Sequence, residues 1–246
     1  MQKNAYEDMP LSIATNRIDY AAKHGAKAVQ ITGGEPFLHS NLHEIIEHIH
    51  SRGMYSLLAT SGYDHSVERY SRLRCNGLDA LCISINALDE DINKRTRDTY
   101  AISLSAIRNA REAGLVCCAN VVVSDENIED LELFASYLKR IGVTRIDILN
   151  PVTSFDGGYV PIVSSSTIKI LDSIIRKSPD FFRVENCYKK YWEYKTGRAV
   201  SCNEIGNHAV FVNVDGSFSP CSKLQRYRYD SMDELIMNKL IWKGGC

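Results

Sequence analysis

The feature that most restricts the fold is a repeated alternation of apolar strands and amphipathic helices. Leu11, Ala14, Ile18, Ala21 and Ala22 share a helical face, with Asp8 and Pro10 as a start signal and Gly25 as a stop. Val29–Ile31 reads as a strand, and Leu42, Ile45, Ile46 and Ile49 mark a second helix ending at Gly53. Strands follow at 55–59, 80–85, 115–123 and 145–149, separated by helices at 66–73, around Leu104, Ile107 and Ala110, and around Leu131, Phe134 and Leu138. A last helix carries Ile168, Leu171, Ile174 and Ile175. Successive βα units predict an α/β protein with a parallel sheet buried on both faces. The strand ends fall at Gly33, Thr60, Asn86, Ser124 and Asn150. In barrel-like α/β folds the ligand lies over the carboxyl ends of the strands, so polar residues there are the site candidates. Asp156 and Tyr159 qualify by position alone, in the loop after Asn150-Pro151.

From about Ser178 the character changes. Tyr188, Tyr191, Trp192 and Tyr194 crowd a charged stretch, and 209–220 reads as a hairpin turning at Asp215-Gly216. The organisation expected is a core over 1–180 and a small appendage over 181–246, with the boundary near 178–186. Net charge is −1, which makes no electrostatic case for nucleic acid or an anionic membrane. No apolar run approaches the roughly 20 residues of a membrane span. The first residues lack a signal-peptide core, so a cytoplasmic location is expected.

Within the first strand-to-helix unit, Gly33-Gly34 lets the backbone take positive φ and come close to a ligand, and Glu35 adds a carboxylate suited to an ammonium. An ordinary βα turn reads the same way from Gly-Gly alone. The longer string Gly33-Gly34-Glu35-Pro36, after an apolar strand and before an amphipathic helix, resembles the radical S-adenosylmethionine (SAM) enzymes. In that family the motif binds the amino group of SAM. The resemblance runs from about Leu11 to Lys177. It implies a partial (β/α)6 TIM-like barrel lacking its first strand, with a cysteine-containing hairpin and helix appended.

Further residues follow the family order. Thr60-Ser61-Gly62 stands where the family often has Thr-Asn-Gly. Ile83-Ser84-Ile85-Asn86 resembles the segment that contacts the SAM carboxylate and ribose, with Asn86 in place of the usual Asp. Arg95-Thr96-Arg97 matches an Arg that pairs with the SAM carboxylate, and Asn120–Ser124, centred on Val121, resembles the strand lying against adenine. Singly, Asn86 also reads as a helix cap, the arginines as solvated charges and Val121 as core.

Eight cysteines in a chain without a secretion signal suggest core thiols or metal ligands. Cys202, Gly216 and Cys221 have the Cys-x13-Gly-x4-Cys spacing that resembles the start of SPASM and twitch auxiliary-cluster domains, with Cys246 after a helix-like 231–242. That resemblance implies a [4Fe–4S] cluster on Cys202, Cys221 and Cys246, with Cys187 unassigned. Two buried thiols flanking a hairpin is the plain alternative. Cys75, Cys82, Cys117 and Cys118 read as core, and His39, His43, His48 and His50 as a solvated helix face rather than a metal site.

The family also needs Cys-x3-Cys-x2-Cys for its SAM-binding [4Fe–4S] cluster, and no two cysteines here are three or four apart. By the family pattern that motif belongs just upstream of Met1, and the sequence is therefore expected to be a fragment. The full protein implied would cleave SAM reductively to a 5′-deoxyadenosyl radical. A peptide or protein would be the substrate, and flavodoxin or ferredoxin the reductant. The other readings are a SAM- or peptide-binding module without catalysis, and an unrelated barrel enzyme using Glu35 as acid or base. No catalytic side chain is assigned.

Overall fold

In the computed structural model the described residues are 8–63, 66–95, 97, 99–149, 163–184, 209–222 and 224–238. They fall into two compact units, Ala28–Tyr188 and the remainder, Met1–Lys27 with Lys189–Cys246.

The larger unit holds a six-stranded, all-parallel sheet in the order β1-β2-β3-β4-β5-β6. The strands are β1 (Ala28–Ile31), β2 (Tyr55–Thr60), β3 (Ala80–Ser84), β4 (Val116–Val122), β5 (Arg145–Leu149) and β6 (Phe182–Val184). Each strand pairs with its neighbour in the chain, so the sheet curls in one direction into a half-barrel and all carboxyl ends share one rim. The helices between them are α2 (Leu42–Ser51), α3 (Val67–Cys75), α4 (Glu90–Lys94), α5 (Tyr100–Glu112), α6 (Leu131–Arg140) and α7 (Ser165–Lys177). Strand β6 and helix α4 were not foreseen. Both are short: three residues in β6 and five in α4, too few to show a period.

Alternation along the strands divides the sheet's side chains into two sets. Leu58, Leu81, Ile83, Ala119, Ile146 and Ile148 are fully buried. Their face carries the helices: Cys117, in the same set, has its thiol against the Ile107 carbonyl of α5. The concave face is polar toward the rim, where register aligns Ser84, Asn120, Asp147 and Arg183 in one row. Asp147 is buried there and bonded by Arg145 (2.7 Å) and Arg183 (2.7 Å).

In the smaller unit, α1 (Leu11–Lys23) packs with the antiparallel hairpin β7 (Phe211–Val212) and β8 (Phe218–Ser219) and with helix α8 (Met232–Met237). Phe218, Leu224 and Leu235 form its core, and Arg17 and Tyr20 of α1 lie on the Phe218 ring. The hairpin turns where expected. Gly216 has φ +83°, and its N–H donates to the Asn213 carbonyl at 2.8 Å. Among the described residues no helix is long and apolar enough to cross a membrane.

Candidate SAM site at the carboxyl rim

Beyond β1 the chain turns through Gly33, which has φ +152°, a conformation that favours glycine. A Cβ built on Gly33 or Gly34 meets nothing within 4 Å, so the backbone of this turn borders open space. Glu35 then caps a 3-10 turn, Pro36–Leu38, through a bond from the Phe37 N–H (3.2 Å). Phe37 is buried beneath Arg69 and against Tyr70 of α3, and it anchors the turn.

The Glu35 carboxylate is held from the next strand. Oε1 accepts from the Thr60 hydroxyl (2.7 Å), and Oε2 accepts from both the Ser61 N–H (2.9 Å) and the Ser61 hydroxyl (2.6 Å). With the Phe37 N–H, four donors fill the roughly four acceptor positions a carboxylate offers. Glu35 is therefore a clamp joining the ends of β1 and β2. Gly33 and Gly34 beside it are exposed.

Gly62 continues the clamp. Its φ is +90°, its N–H donates to the Thr60 hydroxyl (2.9 Å), and a Cβ there would lie 2.8 Å from Cβ of Ala106 in α5. Helix α5 thus seats directly on the Thr60-Ser61-Gly62 turn.

A second network joins β3 to β4. Asn86 is buried, and its Oδ1 accepts from the Val122 N–H (2.9 Å), while its own N–H donates to Asn93 Oδ1 (2.8 Å). Asn127 donates to the carbonyls of Asn86 and Val122, both at 2.8 Å. Asn93 also holds the Arg97 backbone, donating to its carbonyl at 3.0 Å. The Arg97 Nε is buried with no hydrogen-bond partner, and burial pushes its guanidinium below its ordinary pKa. Among the described residues no carboxylate pairs with it. A half-buried guanidinium so placed suits an incoming carboxylate. Arg95, by contrast, lies beside Glu126 at 3.7 Å. Val121 is buried on the helix-side face, and Ser84 on the concave face.

The expected site residues Gly33, Gly34, Glu35, Pro36 and Thr60 are thus brought together at the β1–β2 end of the rim, and Ser84, Asn86 and Arg97 at the β3–β4 end; the Val121 side chain lies near the end of β4 but on the opposite, helix-side face. Sequence reading missed Ser61 as the main donor to Glu35, and missed Asn93 and Asn127 altogether. A polar residue on an apolar helix face was the available signal for Ser103, whose hydroxyl lies 3.0 Å from the Ser61 carbonyl and 3.1 Å from that of Ser84.

Cys82, Cys117 and Cys118 are buried, as a core reading requires. Cys82 and Cys118 are register partners; their mutual interaction and burial push the Cys82 thiol up, and that same interaction holds Cys118 below the ordinary thiol range. Cys75 corrects its reading: it is exposed. Its neighbour Leu73 takes the buried side of α3, and two residues further on the helix points elsewhere. His43 also departs from a solvated face. Its Nδ1 is buried without a partner, and burial, then Arg69 and Arg72, lower its pKa. Among the described residues no three His, Cys, Asp or Glu side chains are grouped to hold a metal. Cys187, Cys202, Cys246, Asp156 and Tyr159 lie outside the described residues. Cys221 is half-buried against the Phe218 core.

Fold and site together define an α/β half-barrel with its candidate site along the carboxyl rim. The radical SAM superfamily profile matches residues 2–138, more than half of the chain, and the protein belongs to that superfamily. Over 136 residues it is 30% identical to a PqqA peptide cyclase of Granulibacter bethesdensis, and over 133 residues 26% identical to one of Ruegeria pomeroyi. These matches span 54% and 53% of this chain but only 36% of each cyclase. The fold is shared with Streptococcus suis SuiB, solved with SAM bound, at TM-score 0.72 and 13% identity over 91% of this chain and 56% of SuiB. It is shared also with anSMEcpe, solved with SAM and a peptide, at TM-score 0.67 and 17% identity over 96% of this chain and 73% of that one.

Membership implies SAM and a [4Fe–4S] cluster as cofactors. The rim residues fit SAM: an open glycine turn and a half-buried Arg97, whose Nε is buried without a partner, flank the strand ends. They do not supply the cluster that binds SAM, since no pair of cysteines in the sequence has its spacing.

Proposed function

We propose that this chain is the SAM-binding core of a radical SAM enzyme that modifies a peptide. The observation that carries the reading is the open space over Gly33 and Gly34 at a strand end clamped by Glu35. In this arrangement the Gly33-Gly34 backbone takes the amino group of SAM and Arg97 its carboxylate. Ser84 faces the ribose, and Asn86 shapes the junction beside it. The backbone around Val121 lies along the adenine. Enzymes of this class reductively cleave SAM to a 5′-deoxyadenosyl radical that removes a hydrogen atom from the substrate. The residues described here bind and orient SAM. The PqqA peptide cyclase relatives support a peptide substrate, and a cytoplasmic location suits such a protein.

Gly34→Ala tests the reading. The added methyl meets no protein atom within 4 Å, so the fold is retained. It enters the space assigned to SAM, and affinity for SAM in equilibrium dialysis falls about tenfold, a loss of ~1.4 kcal/mol. Unchanged SAM binding, or none in the parent chain, would remove SAM from this turn.

We also propose an auxiliary iron–sulfur cluster on Cys202, Cys221 and Cys246, in a SPASM- or twitch-like appendage over 181–246. The place of Cys221 just after the β7–β8 hairpin supports it. Anaerobic reconstitution with iron and sulfide then yields about four irons per chain, and Cys202→Ala/Cys221→Ala loses them. Iron retained by that double variant, or never bound by the folded parent, rules the cluster out.

A further inference from the structure

We infer that Ser103 is a positioning residue for SAM, setting the separation of the two strand ends that receive opposite halves of the molecule. The inference rests on the SAM reading above. Ser103 lies in the first turns of α5 and is fully buried. Its single O–H proton is shared between the carbonyls of Ser61 (3.0 Å) and Ser84 (3.1 Å), with Thr99 Oγ1 beside it at 3.3 Å.

The two carbonyls belong to different strands. Pairing between β2 and β3 reaches Thr60 with Ile83 and goes no further. Ser61 and Ser84 are the next residues along, so the Ser103 hydroxyl bridges the strands one step beyond their last rung. Ser61 is also the residue that grips Glu35, and Ser84 leads through Ile85 to Asn86. One hydroxyl thereby ties the glycine turn, assigned to the methionine end of SAM, to the β3 end assigned to its ribose.

The rest of this helix face is apolar: Ala106, Ile107 and Ala110 are all fully buried. A buried hydroxyl is unfavourable unless bonded, and alanine packs the same space. The bridge is what the hydroxyl adds. A ligand that spans two subsites gains affinity from both only while their spacing is fixed, because otherwise binding must also order the protein.

The test is Ser103→Ala in the 246-residue chain. Hydrogen exchange quickens in the peptides covering Ser61-Gly62 and Ser84–Asn86, and elsewhere stays as in the parent. SAM affinity falls about five- to tenfold, the range expected for one or two lost hydrogen bonds. 5′-Deoxyadenosine, titrated by itself, binds as it does to the parent, since it lacks the methionine end and does not reach the glycine turn. A purely structural role would weaken 5′-deoxyadenosine in step with SAM. That result, or parental exchange at both segments, overturns the inference. A parent chain that binds no SAM overturns the SAM reading instead, and the exchange measurement then decides the role of Ser103 by itself.

Discussion

Gly62→Ala is expected to lower the unfolding free energy by about 2–5 kcal/mol. Two terms add. The left-handed conformation at φ +90° disfavours an L-residue by roughly 1–2 kcal/mol. The new Cβ would also lie 2.8 Å from Cβ of Ala106 and 3.4 Å from the Ile102 carbonyl, an overpacking penalty of about 1–3 kcal/mol. The backbone cannot relieve the clash freely, because the Gly62 N–H is bonded to Thr60, and Thr60 to Glu35. Urea unfolding of the single variants and of Gly62→Ala/Ala106→Gly separates the two terms. Ala106→Gly by itself costs about 1 kcal/mol as a helix-interior glycine. In the double variant the steric part is relieved, so its loss is smaller than the sum of the single losses. Strict additivity would show that α5 does not press on this turn.

Glu35→Gln is expected to have the largest effect on the ligand. Oε2 accepts two donors from Ser61, and Oε1 accepts from Thr60 and Phe37. An amide replaces one acceptor oxygen with two N–H donors, whichever way it is flipped. Against Ser61 it would oppose a backbone N–H that cannot rotate away. Against Thr60 and Phe37 it would oppose another backbone N–H. Hydrogen bonds to a charged acceptor contribute about 1.5–3 kcal/mol each. Releasing the clamp therefore weakens SAM binding by about 10- to 100-fold. Glu35→Asp keeps the charge but is one methylene shorter, and recovers part of the affinity. Calorimetric titration with SAM checks both. If Glu35→Gln binds SAM as tightly as the parent, the clamp does not serve the ligand.

These two effects meet at one turn, and they show why α5 bears on ligand binding. It carries Ala106 against Gly62 and Ser103 against Ser61 and Ser84. The asparagines 86, 93 and 127 do the same for the next junction, where β3 meets β4 and where Arg97 is held. The clamp, the Ser103 bridge and the asparagine network occupy successive gaps along the rim.

The sequence by itself was enough for the βα alternation, the strand ends at Gly33, Thr60 and Asn86, the helix stops, and the Asp215-Gly216 hairpin turn. These depend on local periodicity and on glycine's freedom at positive φ, both contained in a few consecutive residues. Strand β6 escaped because three residues carry no period. What Glu35 bonds was decided only by tertiary structure. Its charge suggested a ligand ammonium, but the parallel register of β1 and β2 brings Ser61, 26 residues away, onto the carboxylate. Asn86 was legible as a residue that keeps hydrogen bonding without charge. That its partners are Val122, Asn93 and Asn127 follows from how β4 and α4 pack beside β3. Ser103 was not singled out in the sequence, although its place on the buried face with Ala106, Ile107 and Ala110 marked it for a partner. Hydrogen bonds between distant segments depend on register and helix docking, which the whole chain sets by burying its apolar faces. No short stretch contains that information.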